Sequence, residues 1–287
     1  MKSIVLAVLS LFIASAAFAE SVSVYVENDM FYQRDYDYTH GTKISYTDDD
    51  NWEYYLWQGI YTPQEKHTEV VMPGDRPYAG WLAFGVARQY EWRSMHQETD
   101  VSLGVVGPDS FSEEAQIHIH KITGSYIPIG WDDQLKNEPA ITVRQEAKKA
   151  LWIYQGDVSL AFVPQGEVVV GTVMDYVGIG GDIIFGHNPN PYLKNQITMK
   201  GLEDKWGAYL FTGVRGRAVA WNMLLDGNMW HDSPSVDKEV FVGDFQYGAC
   251  LTTPWFSAVF TAVVRSKEFE TQDQPEKFGS MLLTAYF

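Results

Sequence analysis

The chain of 287 residues has one cysteine, Cys250, so no internal disulfide is available to hold the fold. It is poor in cations: 21 Lys and Arg stand against 37 Asp and Glu, a formal net charge of −16. Phosphate backbones are bound by clustered Lys and Arg, so this balance argues against nucleic acid as a partner. No apolar run approaches the roughly 20 residues that a membrane-spanning helix needs. The apolar stretch at 4–14 is too short. With Lys2 before it and Ala17-Phe18-Ala19 after it, it has the form of a secretory signal and cleavage site. Residues 1–19 are expected to be removed, leaving 20–287 as the exported domain. G-x-S-x-G and H-E-x-x-H are both absent, so neither a nucleophile elbow nor a zincin site is indicated.

What the chain has in abundance is aromatic residues (10 Trp, 17 Tyr and 15 Phe) and alternation of polar with apolar positions. Period two is the mark of a strand with two different faces. It recurs in twelve segments: 21–26, 42–46, 54–61, 81–92, 100–106, 141–152, 157–163, 176–185, 206–220, 238–249, 255–264 and 281–287. A tilted transmembrane strand takes roughly 9–11 residues. Trp52, Tyr54, Trp57, Trp81, Tyr90, Trp92, Trp152, Tyr154, Trp206 and Trp221 fall near segment ends, as aromatic girdles at two interfaces would. The final segment alternates Met281, Leu283 and Ala285 and stops on Phe287, resembling the assembly signal of outer-membrane barrels. The expected fold is all-β, a 12-stranded antiparallel transmembrane β-barrel. Period two alone also admits a soluble sandwich or barrel.

Counting strands from a periplasmic start puts the chemically dense segments at one end. Glu27-Asn28-Asp29, the cluster at 35–41, the loop at 62–80 and the loop at 107–139 all fall outside. The connection at 187–205 should be periplasmic and is long for such a turn. Asp48-Asp49-Asp50 is expected to be a solvated turn.

The loop at 107–139 holds a candidate helix near 111–123, with Ser110-x-x-Glu113 in the form of a capping box and Gly124 suited to the C-terminus. Phe111, Ala115, Ile119 and Ile122 would share its apolar face. Gln116 and His120, four apart, would share another, whereas His118 and His120 would diverge by about 200°. A strand over 117–122 is the alternative, and would align both histidines.

Several motifs occur in order: Glu27-Asn28-Asp29, Asp37-Tyr38-Thr39-x-Gly41, Gly74-Asp75-Arg76, Gly107-Pro108-Asp109 and Gln116-x-x-x-His120-Lys121-x-x-Gly124. Trp131-Asp132-Asp133-Gln134-Leu135 and Arg265-Ser266-x-Glu268-Phe269 follow. Together they resemble the lipid A 3′-O-deacylase family, over nearly the whole mature chain and most densely over 24–139. The resemblance implies a twelve-stranded outer-membrane barrel that uses Ca²⁺ to hydrolyse the 3′ acyloxyacyl ester of lipid A. By matching motif, Asn28 and Asp29 would lie at the metal. Thr39, Gln116 and His120 would be active-site residues, with His120 as base. Lys66 and Arg76 correspond to basic loop positions.

The residue chemistry is compatible with this. Asn28 and Asp29 are oxygen donors of the kind Ca²⁺ takes, and a neutral imidazole can accept a proton from water. Alternation places Asp29 on the face of Ser21 and Ser23 but Asn28 on the valine face, so both reach one ion only if the strand bulges or ends there. Because lipid A is phosphorylated, Lys66, Arg76 and Lys121, or bound divalent cations, would offset the repulsion from an acidic protein. The expected partners are lipopolysaccharide and outer-membrane lipids, with a monomer acting from the extracellular side. The rivals are a pore or adhesin barrel and a different outer-membrane lipid esterase.

Overall fold

The computed structural model describes residues 21–29, 37–192 and 206–287. The first strands are β1 (Ser21–Asn28), β2 (Asp37–Thr47), β3 (Trp52–Thr62), β4 (Ala79–Trp92), β5 (Met95–Val106) and β6 (Glu138–Lys148). A short β7 (Leu151–Tyr154) precedes β8 (Ser159–Gly171), β9 (Met174–His187) and β10 (Gly207–Asn222). The chain ends with β11 (Phe241–Thr252), β12 (Phe256–Arg265) and β13 (Glu276–Tyr286). All pairings are antiparallel, and β1 closes on β13.

β6 and β7 both pair with β8, Lys148 opposite Gln165 and Leu151 opposite Phe162, so they are two halves of one barrel strand. The break lies opposite Pro164, which has no N–H to give the ladder; its carbonyl still accepts from the Lys149 N–H at 3.2 Å. The barrel is therefore closed and twelve-stranded, as the alternation predicts. The segment expected at 157–163 runs on through Pro164 to Gly171. The segment 1–19, expected to be a signal, most of the connection after β9 and part of the cluster at 35–41 lie outside the described residues.

The faces are those of a membrane barrel. Phe84, Leu103 and Ile141 are register neighbours on β4, β5 and β6, and all point outward and exposed. Ile179 on β9 is 77 % exposed. In a soluble barrel these side chains would face in, because water contact costs roughly 25 cal/mol for each Å² of apolar surface. The inward face is mixed: an apolar cluster with Val163, Ile184, Phe211 and Leu282 is buried there, and so are the charges. Lys43 pairs with Glu53 at 2.8 Å, Tyr55 donates to Asp100 at 2.9 Å, and Asp244 receives Arg265 at 2.9 Å and Arg217 at 3.3 Å. All of these paired groups but Glu53 line a lumenal cavity of about 300 Å³. Each buried charge faces a partner, without which desolvation would cost several kcal/mol.

At one end the connections are tight. Arg93-Ser94 turns with φ of 52° and 58°, both positive, as a two-residue hairpin turn requires. Asp48 caps its own turn, accepting from the N–H groups of Asp50 and Trp52, so 48–51 is the turn expected there. Trp92, Trp152, Tyr154, Trp206 and Trp255 are exposed around this end as a girdle. Trp57 and Trp81 do not belong to a girdle: they meet edge to face at 6.4 Å inside the lumen. Trp221, expected there too, is half-buried and donates to the Thr172 carbonyl.

The opposite end carries the long loops and two helices, α1 (Ser112–Thr123) and α2 (Met223–Asp226). Helix α1 confirms the helical alternative for 117–122. Its start differs from expectation. Ser110 ends a 3₁₀ turn (Pro108–Ser110) and hydrogen-bonds Ser112 at 3.1 Å, and the N-cap is Phe111 with φ of 57° and no side-chain cap.

A candidate active site on the outer wall

The site is built on the outside of the barrel. Trp81 and Ala83 line the lumen, so Gly80 and Leu82 face out. A Cβ at Gly80 would lie 2.0 Å from Ser110 Oγ and 2.5 Å from Ser112 Cβ, so only glycine lets the start of α1 lie on the wall. Gln58 and Ile60 of β3 also face out. Gln58 donates to the Ser110 carbonyl at 2.8 Å, and Ile60 packs with Tyr78, Trp131 and Ala115. Ser112 adds a bond to the Gly59 carbonyl at 3.3 Å.

The face of α1 turned to this wall is polar. Ser112, Gln116 and His120 are its buried residues, at four-residue spacing. His118 is exposed, as the 200° divergence requires. Of the expected apolar face only Ala115 packs inward, against the Ile60 and Trp131 cluster; Phe111 and Ile119 are exposed, and Ile122 is 85 % exposed. Trp131 Nε1 donates to Gln116 Oε1 at 2.8 Å. An indole N–H can only donate, which fixes the amide and aims Gln116 Nε2 away from Trp131. Nε2 is buried and has no protein partner among the described residues.

His120 is oriented from its Nδ1, which meets the Tyr126 carbonyl. A carbonyl only accepts, so Nδ1 carries the proton and the lone pair sits on Nε2. Gly124, with φ of 73°, makes that contact possible by turning the chain back at the helix end, where its N–H bonds the His120 carbonyl. On the water-facing side, burial together with Glu114 and Asp132 raises the Glu113 carboxyl above its ordinary value.

A bulge supplies the other half of the site. Tyr38 pairs with Tyr61 and His40 with Ile60, so Thr39 is the extra residue. Uninterrupted alternation from Gly41, Lys43 and Ser45 would send Thr39 inward and Tyr38 outward. The bulge reverses both. Tyr38 points in, onto Tyr61 and Phe278 at 5.2 and 5.3 Å, and its hydroxyl bonds Glu27. Thr39 points out, with its hydroxyl 2.5 Å from that of Thr62.

β1 ends beside it. Asn28 Nδ2 donates to the Thr39 carbonyl at 3.1 Å and to His40 Nδ1 at 3.3 Å, so the amide oxygen points away from β2. His40 Nε2 then donates to Thr42 Oγ1 at 2.6 Å. Asp29, just past the strand end, is 1 % exposed. Of the two conditions for bringing Asn28 and Asp29 to one place, the strand end is present: β1 stops at Asn28 and pairs without a bulge.

Asn28, Thr39 and His40 meet directly. Ile60, the register partner of His40, links them through Trp131 to Gln116, with His120 one helical turn beyond. Lys66 is half-buried beside the same loop, its carbonyl 3.5 Å from the Ile129 N–H, while the neighbouring His67 ring meets Tyr126 at 4.1 Å, tilted by 59°. Lys121 is exposed on α1. Arg76 is elsewhere: 1 % exposed, it sits over the Tyr61 ring at 4.9 Å and faces Glu268 at 3.6 Å, in the mouth of the lumen. His40, Trp131 and the Tyr126 carbonyl were not read as site groups from sequence. Only the motif containing Trp131 offered a signal.

The side-chain donors near the ends of β1 and β2 are oxygens: the Asp29 carboxylate, the Asn28 amide and the Thr39 hydroxyl. No group of three or more His, Cys, Asp and Glu assembles among the described residues. That chemistry fits a hard cation such as Ca²⁺, which completes its shell with backbone carbonyls and water, and does not fit zinc.

A closed barrel with apolar strands outside, charges inside and a buried polar site on its outer wall is an outer-membrane protein. A sequence model described as outer membrane protein LpxR matches residues 3–287, and the chain belongs to that family. This is the lipid A 3′-O-deacylase family to which the ordered motifs pointed. Among solved structures, LpxR from Salmonella typhimurium superposes with a TM-score of 0.82 at 23 % identity, over 93 % of this chain and 100 % of that one. The beta domain of the Bordetella autotransporter BrkA reaches a TM-score of 0.44 at 8 % identity, over 93 % and 98 %. No curated protein matched the chain.

Proposed function

We propose that this protein hydrolyses the ester-linked 3′ acyloxyacyl chain of lipid A, with Ca²⁺ bound, from the extracellular side of the outer membrane. The observation that carries this reading is the position of Gln116, His120, Asn28 and Thr39 on the outward wall. A pore keeps its working residues in the lumen; an enzyme acting on a membrane lipid needs them where the lipid is.

His120 Nε2 accepts a proton from the water that attacks the ester carbonyl, and returns it to the sugar oxygen that leaves. The Tyr126 carbonyl holds the tautomer in which Nε2 can do so. Gln116 Nε2 donates to the oxygen on which charge develops, a position set by Trp131. Asn28 and Asp29 would hold Ca²⁺, which when bound polarises the carbonyl as a Lewis acid. Thr39 keeps the β2 rim in register with Thr62 and presents its hydroxyl to the same space. Lys66 and Lys121 offset the charge of the lipid phosphates, and Arg76 holds the loop at 63–78 in place.

Mass spectrometry of lipid A after incubation with purified protein, in calcium and in chelator, tests the reaction. Calcium-dependent loss of one acyloxyacyl unit is the expected result. An unchanged mass in both conditions overturns it and makes conductance in planar bilayers the next measurement.

A further inference from the structure

Helix α1 is amphipathic the wrong way round for a helix that only packs on a protein. Its buried file is Ser112, Gln116 and His120. Ile119 and Ile122 lie on one flank of that file, and Glu113, Glu114 and Lys121 on the other at 100° per residue, while the N-cap Phe111 is also exposed. Beside the apolar flank, Ile129, Val70 and Met72 are also exposed. The Ile129 N–H meets the Lys66 carbonyl, and the Val71 N–H donates to Asp133, so these loops form one rim with the helix.

The helix lies on the outer wall at Gly80, the second residue of β4. Phe84, on the outward apolar belt, is four residues along the same strand, roughly 13 Å away at about 3.3 Å per residue. The helix is thus seated on the same outer wall that the barrel gives to lipid, with its apolar flank exposed. Interfacial helices settle about 5–10 Å into the headgroup boundary, with apolar residues down and charges up.

We propose that α1 is a membrane-interface anchor: Phe111, Ile119 and Ile122, with Ile129, Val70 and Met72, sit among the acyl chains of the bilayer around the barrel. The charged flank stays in water. This holds the buried polar face at the depth where headgroup meets acyl chain, and it does not depend on the reaction proposed above.

The test places single spin labels on the full-length protein in phosphatidylcholine vesicles, with the buried Cys250 changed to Ala. Ile122→Cys and Ile129→Cys are compared with Glu114→Cys and Lys121→Cys, and barrel folding is checked by heat-modifiable gel mobility. Labels at 122 and 129 are expected to collide with lipid-soluble oxygen several-fold more than with a water-soluble nickel chelate, and labels at 114 and 121 to show the reverse. Equal access of the nickel chelate to all four positions overturns the proposal. So does shielding of 122 and 129 from both reagents, which would mean that protein covers the flank.

Discussion

The indole N–H of Trp131 donates to Gln116 Oε1 at 2.8 Å, with both side chains buried against the outer wall of the barrel. This bond decides which end of the Gln116 amide faces the site. Trp131→Phe keeps a ring against Tyr78 and removes the donor. A buried acceptor left unpaired costs about 1–3 kcal/mol, and the amide becomes free to flip. We expect lipid A hydrolysis to fall at least tenfold and the melting temperature of α1, followed by a local fluorophore, to drop more than that of the barrel.

His120→Ala removes the proposed base. General bases contribute roughly 10²–10⁴-fold, so hydrolysis should fall by that much while the barrel keeps its folded gel mobility. A variant that deacylates at the wild-type rate removes His120 from the mechanism.

Asp29 and Asn28 are proposed to hold Ca²⁺. Chelator should abolish activity and added Ca²⁺ restore it. Asp29→Ala should raise the Ca²⁺ concentration for half-maximal activity by tenfold or more, because one carboxylate is a large share of the charge in such a site. An unchanged calcium titration would place the ion elsewhere.

Gly80→Val tests how α1 is seated. Its Cβ position is 2.0 Å from Ser110 Oγ, so the first turn of the helix must move off β4. Activity should be lost with barrel folding intact. Wild-type turnover in this variant would mean that the seating of α1 on the wall is dispensable.

Arg76 separates two roles that sequence could not. It faces Glu268 and Tyr61 in the lumenal mouth. Arg76→Ala removes one of two cations at Glu268, with Arg265 remaining at 3.4 Å, so the loss should be below the roughly 3–5 kcal/mol of a fully broken buried pair. Thermal stability should fall markedly, whereas Lys66→Ala and Lys121→Ala should alter lipid A binding with little change in stability.

The barrel was legible because alternation is local. Every one of the twelve segments found by period two corresponds to a barrel strand, and even the interrupted strand, β6 with β7, read as one at 141–152. Faces were harder. The bulge at Thr39 depends on pairing with β3 and leaves no mark in the spacing of β2, so the inward turn of Tyr38 and the outward turn of Thr39 were invisible. Helix α1 misled for the opposite reason. Its apolar file is clear in sequence, but the usual inference that apolar means buried assumes water outside. Here the polar file is buried and the apolar file, Ala115 apart, is exposed. That His120 and Gln116 share a face was legible in their four-residue spacing, whereas the Trp131 and Tyr126 contacts that orient them come from residues whose approach only the folded loop defines.

A working face on the outer wall changes the dimensionality of the encounter. A substrate that stays in its leaflet reaches Gln116 and His120 by lateral diffusion, without leaving the bilayer. The relevant concentration is then a mole fraction in the surface rather than an amount per litre. Diluting the lipid with inert lipid should slow such a protein; diluting the whole suspension should not.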